Sequence, residues 1–87
     1  MVSKAFGEVL RELRLERGLS QERLALEMGL HRTYVSQLER GVKSPTLRTI
    51  WRLSRFLGID PSQLVRLVEA KHQTLRLAQG EAGLAEE

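Results

Sequence analysis

The chain contains no cysteine. That excludes a disulfide framework and any cysteine-ligated metal site, and it fits a reducing cytoplasm. No apolar run approaches the length of a membrane span, and the opening residues MVSKAFGEVL hold no signal-peptide core. A membrane partner is therefore not expected. The only two histidines, His31 and His72, fall on separate elements, with no paired acidic cluster and no Gly-rich phosphate loop. The motifs of nucleophilic, metal and phosphoryl chemistry are missing, so we expect no enzyme, no metal and no cofactor. Strand alternation, internal repeats and low-complexity stretches are absent too.

What is present is compact and basic. Eighty-seven residues make one small domain, with 29% charged residues and a formal charge of +3. The charge is uneven. Residues 1–66 carry twelve Lys or Arg against seven Asp or Glu, whereas residues 67–87 carry two against four. A basic body with an acidic end points to a polyanionic partner.

The punctuation is helical. Ser3 is placed to cap a first helix ending at Gly18, and Ser20 a second ending at Gly29. A third ends at Gly41, and the loop VKSPT leads to a fourth ending at Gly58. Asp60-Pro61-Ser62-Gln63 opens a fifth, with an N-cap, a proline at the first helical position and a capping-box glutamine. Apolar positions recur at helical spacing: Phe6, Val9, Leu10 and Leu13, then Leu24, Ala25 and Met28. In the fourth helix Leu47, Ile50, Leu53, Ser54 and Leu57 form the inward stripe, with Arg48, Arg52 and Arg55 opposite. The fold class is all-α, a five-helix domain over 1–79 whose last helix extends to about Gln79, followed by a disordered tail over 80–87.

The third helix has two unlike faces. On a helical wheel Arg32, Ser36, Arg40, Thr33 and Gln37 follow one another around one side, while Val35 and Leu38 fall together on the other. No acidic residue interrupts the polar stripe. Arg, Thr, Ser and Gln can pair with base edges and phosphates. No aromatic residue lies on the stripe, which disfavours stacked single-stranded RNA.

The preceding helix fits the same reading. Counted from Gln21, Leu24 and Ala25 are fourth and fifth, Gly29 ninth, Leu30 tenth, Val35 fifteenth and Leu38 eighteenth. Ala25 is small where two helices cross, Gly29 makes the tight turn, and the others fill the angle between the helices. That is a helix-turn-helix pattern over 21–40. The motifs LRELRLERGLSQERLALEMGL, HRTYVSQLERG and SPTLRTIWRLSRFLGID lie within Phe6 to Val65. This stretch resembles the Cro/C1-type helix-turn-helix family, the XRE-like regulators.

The resemblance implies a lambda-repressor-like DNA-binding domain, dimeric on a palindromic operator, with the helix over 31–40 in the major groove. It implies a transcriptional regulator in the cytoplasm, such as a stand-alone repressor or a restriction–modification controller. The alternative on the same fold is an antitoxin or a protein-interaction module with a second protein partner. By position, Arg32, Thr33, Ser36 and Gln37 match base-reading residues. Gln21, Tyr34, Arg40, Lys43, Ser44 and Arg48 match phosphate contacts, and His31 an N-cap. Arg14 and Glu39 match an ion pair between the first and third helices. Trp51, Leu64, Leu67, Val68 and Leu75 are expected to form the dimer surface. Arg52 and Arg55 are expected to be solvated, and Leu15 an isolated exposed apolar residue.

Overall fold

Ser20 and Thr46 show how the helices are started. Each holds an extended backbone, and each side-chain oxygen accepts the N–H three residues on, from Arg23 at 2.9 Å and from Thr49 at 3.1 Å. Such caps contribute about 1 kcal/mol each. Asp60 opens the last helix, its N–H donating to Gln63 Oε1 at 2.9 Å with Pro61 next in line. The computed structural model describes residues 2–80, and five helices account for most of them: α1 Val2–Glu16, α2 Gln21–Met28, α3 Arg32–Glu39, α4 Leu47–Leu57 and α5 Pro61–Ala78. No strand occurs among the described residues. Of the expected tail, only Gly80 falls within them, and 81–87 lie outside.

Phe6, Leu10, Leu24, Leu38, Leu53 and Leu64 anchor one continuous apolar core to which every helix contributes. α1 is the central strut, packed on α3 and on α5. The fit against α3 is close. A Cβ built on Gly7 would collide with the carbonyl oxygens of Leu38 and Glu39 and lie 2.7 Å from the Glu39 carbonyl carbon. Only a glycine lets the end of α3 lie directly on α1.

Three expectations about local structure are corrected. Ser3 is not a cap, because α1 already begins at Val2; its hydroxyl instead meets the Ser44 hydroxyl. Leu47 does not face inward but is 69% exposed, and Ile50 is half-buried. α4 enters the core only from its middle, where Leu53, Ser54 and Leu57 are buried. Arg52 is not simply solvated: a guanidinium nitrogen donates to the Met28 carbonyl, at the C-terminal end of α2. Arg17 similarly reaches the Leu57 carbonyl at the end of α4. A cation at a helix C-terminus opposes the partial negative charge of the unpaired carbonyls.

α5 runs on past the core. Lys71 ties it to α1, with Nζ 2.6 Å from Glu12 and 4.0 Å from Glu8. The bond to Glu12 raises the Lys71 pKa above the usual lysine value. The contribution that this shift makes to stability is therefore present at neutral pH and is lost as strongly alkaline conditions take the ammonium through that raised value.

Candidate nucleic-acid interface

α3 is held from beneath by Val35 and Leu38, both fully buried. Burial of each contributes about 1.5–3 kcal/mol. The turn ahead of it is short. Gly29 adopts φ 67°, a left-handed conformation that costs a side-chain-bearing residue energy, and Leu30 N–H returns to the Ala25 carbonyl at 2.8 Å. Ala25 is buried at this crossing. His31 occupies the N-cap position, but its side chain makes no capping hydrogen bond.

A buried polar network locks α3 to its neighbours. Arg14 Nε donates to Glu39 Oε2 at 2.6 Å, and a second Arg14 nitrogen to Oε1 at 3.0 Å. Arg14 also donates to the Leu19 carbonyl at 2.7 Å. Gln21 Nε2 completes the set, donating to Glu39 Oε1 at 3.0 Å. One carboxylate thus joins α1, the first residue of α2 and the end of α3. Its hydrogen bond raises the Arg14 pKa against the opposing effect of burial. An ionised carboxylate only accepts, so it turns the amide nitrogen of Gln21 toward itself. The second N–H on that nitrogen remains a donor at the start of α2, where helix N–H groups also favour an anion.

On the outer side of α3, Arg32, Thr33 and Arg40 are exposed, and Ser36 and Gln37 are half-buried between them. Arg40 Nε donates to Ser36 Oγ at 3.3 Å, so these two act as a pair one turn apart. The Gln37 carbonyl accepts two N–H groups from the following loop, Val42 at 2.9 Å and Lys43 at 3.3 Å. This folds the exposed Lys43 back beside the helix. Ser44 follows with its hydroxyl on Ser3, and exposed Arg48 sits in the first turn of α4. Tyr34 stands apart from the stripe. Its ring is half-buried and packs on the core, which leaves its polar end as the part able to meet solvent.

The apolar residues expected at a dimer surface divide. Leu64 is 1% exposed and belongs to the protomer's own core, so it has no surface to offer a partner. Val68 packs on that core as well. Leu67 lines a groove against Val9 and Leu13 of α1, and Leu75 is half-buried. Trp51 is 53% exposed on α4. The physical reason is that α5 lies along α1 and uses the inner side of its seam within the chain. Sequence periodicity did not reveal Val2, Leu47 and Val65 as exposed, nor a cavity of about 210 Å³ lined by Val2 and Val65 and floored by Phe6, Leu64 and Val68. Nor did it reveal the close approach at Gly7, although a glycine inside an apolar-periodic helix is a signal for one. Among the described residues, no cluster of His, Asp or Glu could hold a metal ion and no helix is long and apolar enough to cross a membrane.

A short helix pinned by two apolar residues, preceded by a glycine turn and presenting Arg, Thr, Ser and Gln outward, defines a helix-turn-helix DNA-binding domain. Residues 10–64 match the helix-turn-helix family HTH_3, and the chain belongs to that family of XRE-like regulators. Over 61 residues it is 44% identical to the control protein C.BamHI of Bacillus amyloliquefaciens, covering 69% of this chain and 75% of that protein. Its structure is similar to the restriction-modification controller protein C.AhdI of Aeromonas hydrophila, with a TM-score of 0.67, 47% identity and coverage of 71% of this chain and 94% of that one. It is also similar to the clp gene regulator ClgR of Corynebacterium glutamicum, with a TM-score of 0.80, 25% identity and coverage of 95% and 87%. The chain is a DNA-binding transcriptional regulator.

Proposed function

We propose that the chain reads a palindromic operator as a homodimer, inserting α3 in the major groove, and works in the cytoplasm as a stand-alone controller or repressor. The outward stripe of α3 carries this reading. Arg32 can pair with guanine O6 and N7, Gln37 with adenine, and the Thr33 methyl with thymine, with Ser36 between them. Gln21, Arg40, Lys43, Ser44, Arg48 and the hydroxyl end of Tyr34 supply phosphate contacts that fix the register without reading sequence. The likeness to C.BamHI and C.AhdI, both described as control proteins, supports the controller role.

The second protomer is assigned to the α4–α5 side. Leu47 and Trp51, one turn apart on α4, and Val65 on α5, at the cavity, leave apolar surface exposed there. This exposed apolar surface is what supports the assignment. Two protomers related by a two-fold axis would set their α3 helices in successive major grooves, about 34 Å apart.

Paired substitutions separate reading from anchoring. Arg32→Ala is expected to flatten preference at one operator position, removing about 1–3 kcal/mol of discrimination. Lys43→Ala is expected to weaken binding to every duplex alike. Competition titrations on operator and scrambled duplexes check both. If neither change alters duplex binding, α3 is not the DNA-reading element.

A further inference from the structure

We propose that α1 carries two further phosphate contacts, Lys4 and Arg11, which extend the DNA-binding surface beyond the helix-turn-helix unit. The inference rests on the DNA-binding reading above and adds a second element to it.

α1 and α3 cross at Gly7, which lies against the Leu38 and Glu39 carbonyls. Just beyond α3, a Cβ built on Gly41 would sit 2.9 Å from Lys4 Cα and 3.3 Å from Lys4 Cβ. The segment that ends the recognition helix therefore runs over the first two turns of α1. Lys4 precedes Gly7 by three residues and Arg11 follows it by four, so both fall on the flank of α1 next to this crossing. Both side chains are exposed. Neither has a hydrogen bond or ion pair among the described residues.

The other charges on α1 have partners. Arg14 is engaged with Glu39 and Leu19, and Glu16 lies 3.9 Å from Arg17, which follows the helix and also donates to the Leu13 and Leu57 carbonyls. Glu8 and Glu12 are gathered on the α5 side by Lys71. Lys4, beside the Gly41 segment, and Arg11, one turn past the Gly7 crossing, are thus the two unengaged cations of α1, while Glu8 and Glu12 are bonded toward α5. Two unpaired cations next to a major-groove helix match the phosphates that border the groove.

The test is the salt dependence of binding to one duplex of fixed sequence. Each phosphate contact releases counterions and contributes about 0.9 to the slope of log affinity against log salt. Lys4→Gln and Arg11→Gln should each lower the slope by about 0.9 per bound protomer, by the same amount on a scrambled duplex and with unchanged melting temperature. Arg66→Gln, at an exposed cation on α5, should leave the slope as it is. The proposal is overturned if the Lys4 and Arg11 variants keep the wild-type slope while Lys43→Gln lowers it. A changed melting temperature with an unchanged slope would also overturn it, assigning Lys4 to the C-terminal dipole of α3 instead. Absence of salt-dependent duplex binding in the wild-type protein would defeat the DNA-binding reading itself.

Discussion

Glu39 shows how much one side chain can organise. Its carboxylate accepts from Arg14 twice and from Gln21 once, and both members of the ion pair are buried. Removing one member of a buried pair strands the other charge, at a cost of about 3–5 kcal/mol. For a domain whose whole stability is about 5–15 kcal/mol, that is a large share. Glu39→Ala is therefore expected to shift the urea midpoint strongly. Gln21→Ala removes only a half-buried neutral donor and should cost about 0.5–1.5 kcal/mol. Equal losses in the two variants would show that the network does not work as drawn. The Arg14–Glu39 pair was legible in the sequence through the resemblance to related regulators. Gln21 as its third member was not, because that bond depends on a side-chain rotamer rather than on residue type or spacing.

Between elements, the decisive contact is the crossing of α1 and α3 at Gly7. In an isolated helix, Gly→Ala at an interior position stabilises by about 1 kcal/mol. Here the added methyl would run into two backbone carbonyls, and backbone cannot swing aside as a flexible side chain can. Overpacking of this kind costs about 1–3 kcal/mol. Gly7→Ala should therefore lower the melting temperature and, by tilting α3, weaken operator binding. A variant more stable than wild type would refute a tight crossing. The five helices themselves were readable from glycine and cap placement, because those signals are local: Ser20, Gly29, Gly58 and Asp60 each act within one turn. Which face of a helix meets another element is not local. Leu47 fitted the inward period of α4 yet is exposed, because the core begins only further along that helix. Leu64 and Val68 fitted a dimer seam yet face inward, because α5 lies on α1. The Arg52 bond to Met28 and the Lys71 bond to Glu12 likewise join residues far apart in sequence, beyond the reach of any periodicity.

At the scale of the molecule, the proposed reading and assembly groups meet at the start of α4. α3, the Lys43 loop, one flank of α1 and Arg48 present basic groups, and Leu47, Trp51 and Val65 are exposed on α4 and α5. In the proposed dimer, the base-reading side chains lie on α3 and the assembly residues on α4 and α5, so assembly can be impaired without touching the α3 stripe. Leu47→Asp places a charge in the apolar patch on α4, not on the α3 stripe, and is expected to disfavour the dimer; its charge beside Arg48 weakens duplex binding generally but leaves the half-site preference set by α3. The central claim is that two copies of α3 read two related half-sites, and the most direct measurement selects bound duplexes from a random pool with the wild-type protein and with Leu47→Asp. The wild type is expected to recover an inverted repeat whose half-site centres are about one helical turn or a multiple of it apart, and Leu47→Asp to recover the same half-site singly and with weaker binding. Recovery of no common sequence by the wild type, or of a single asymmetric site unaffected by Leu47→Asp, would contradict it.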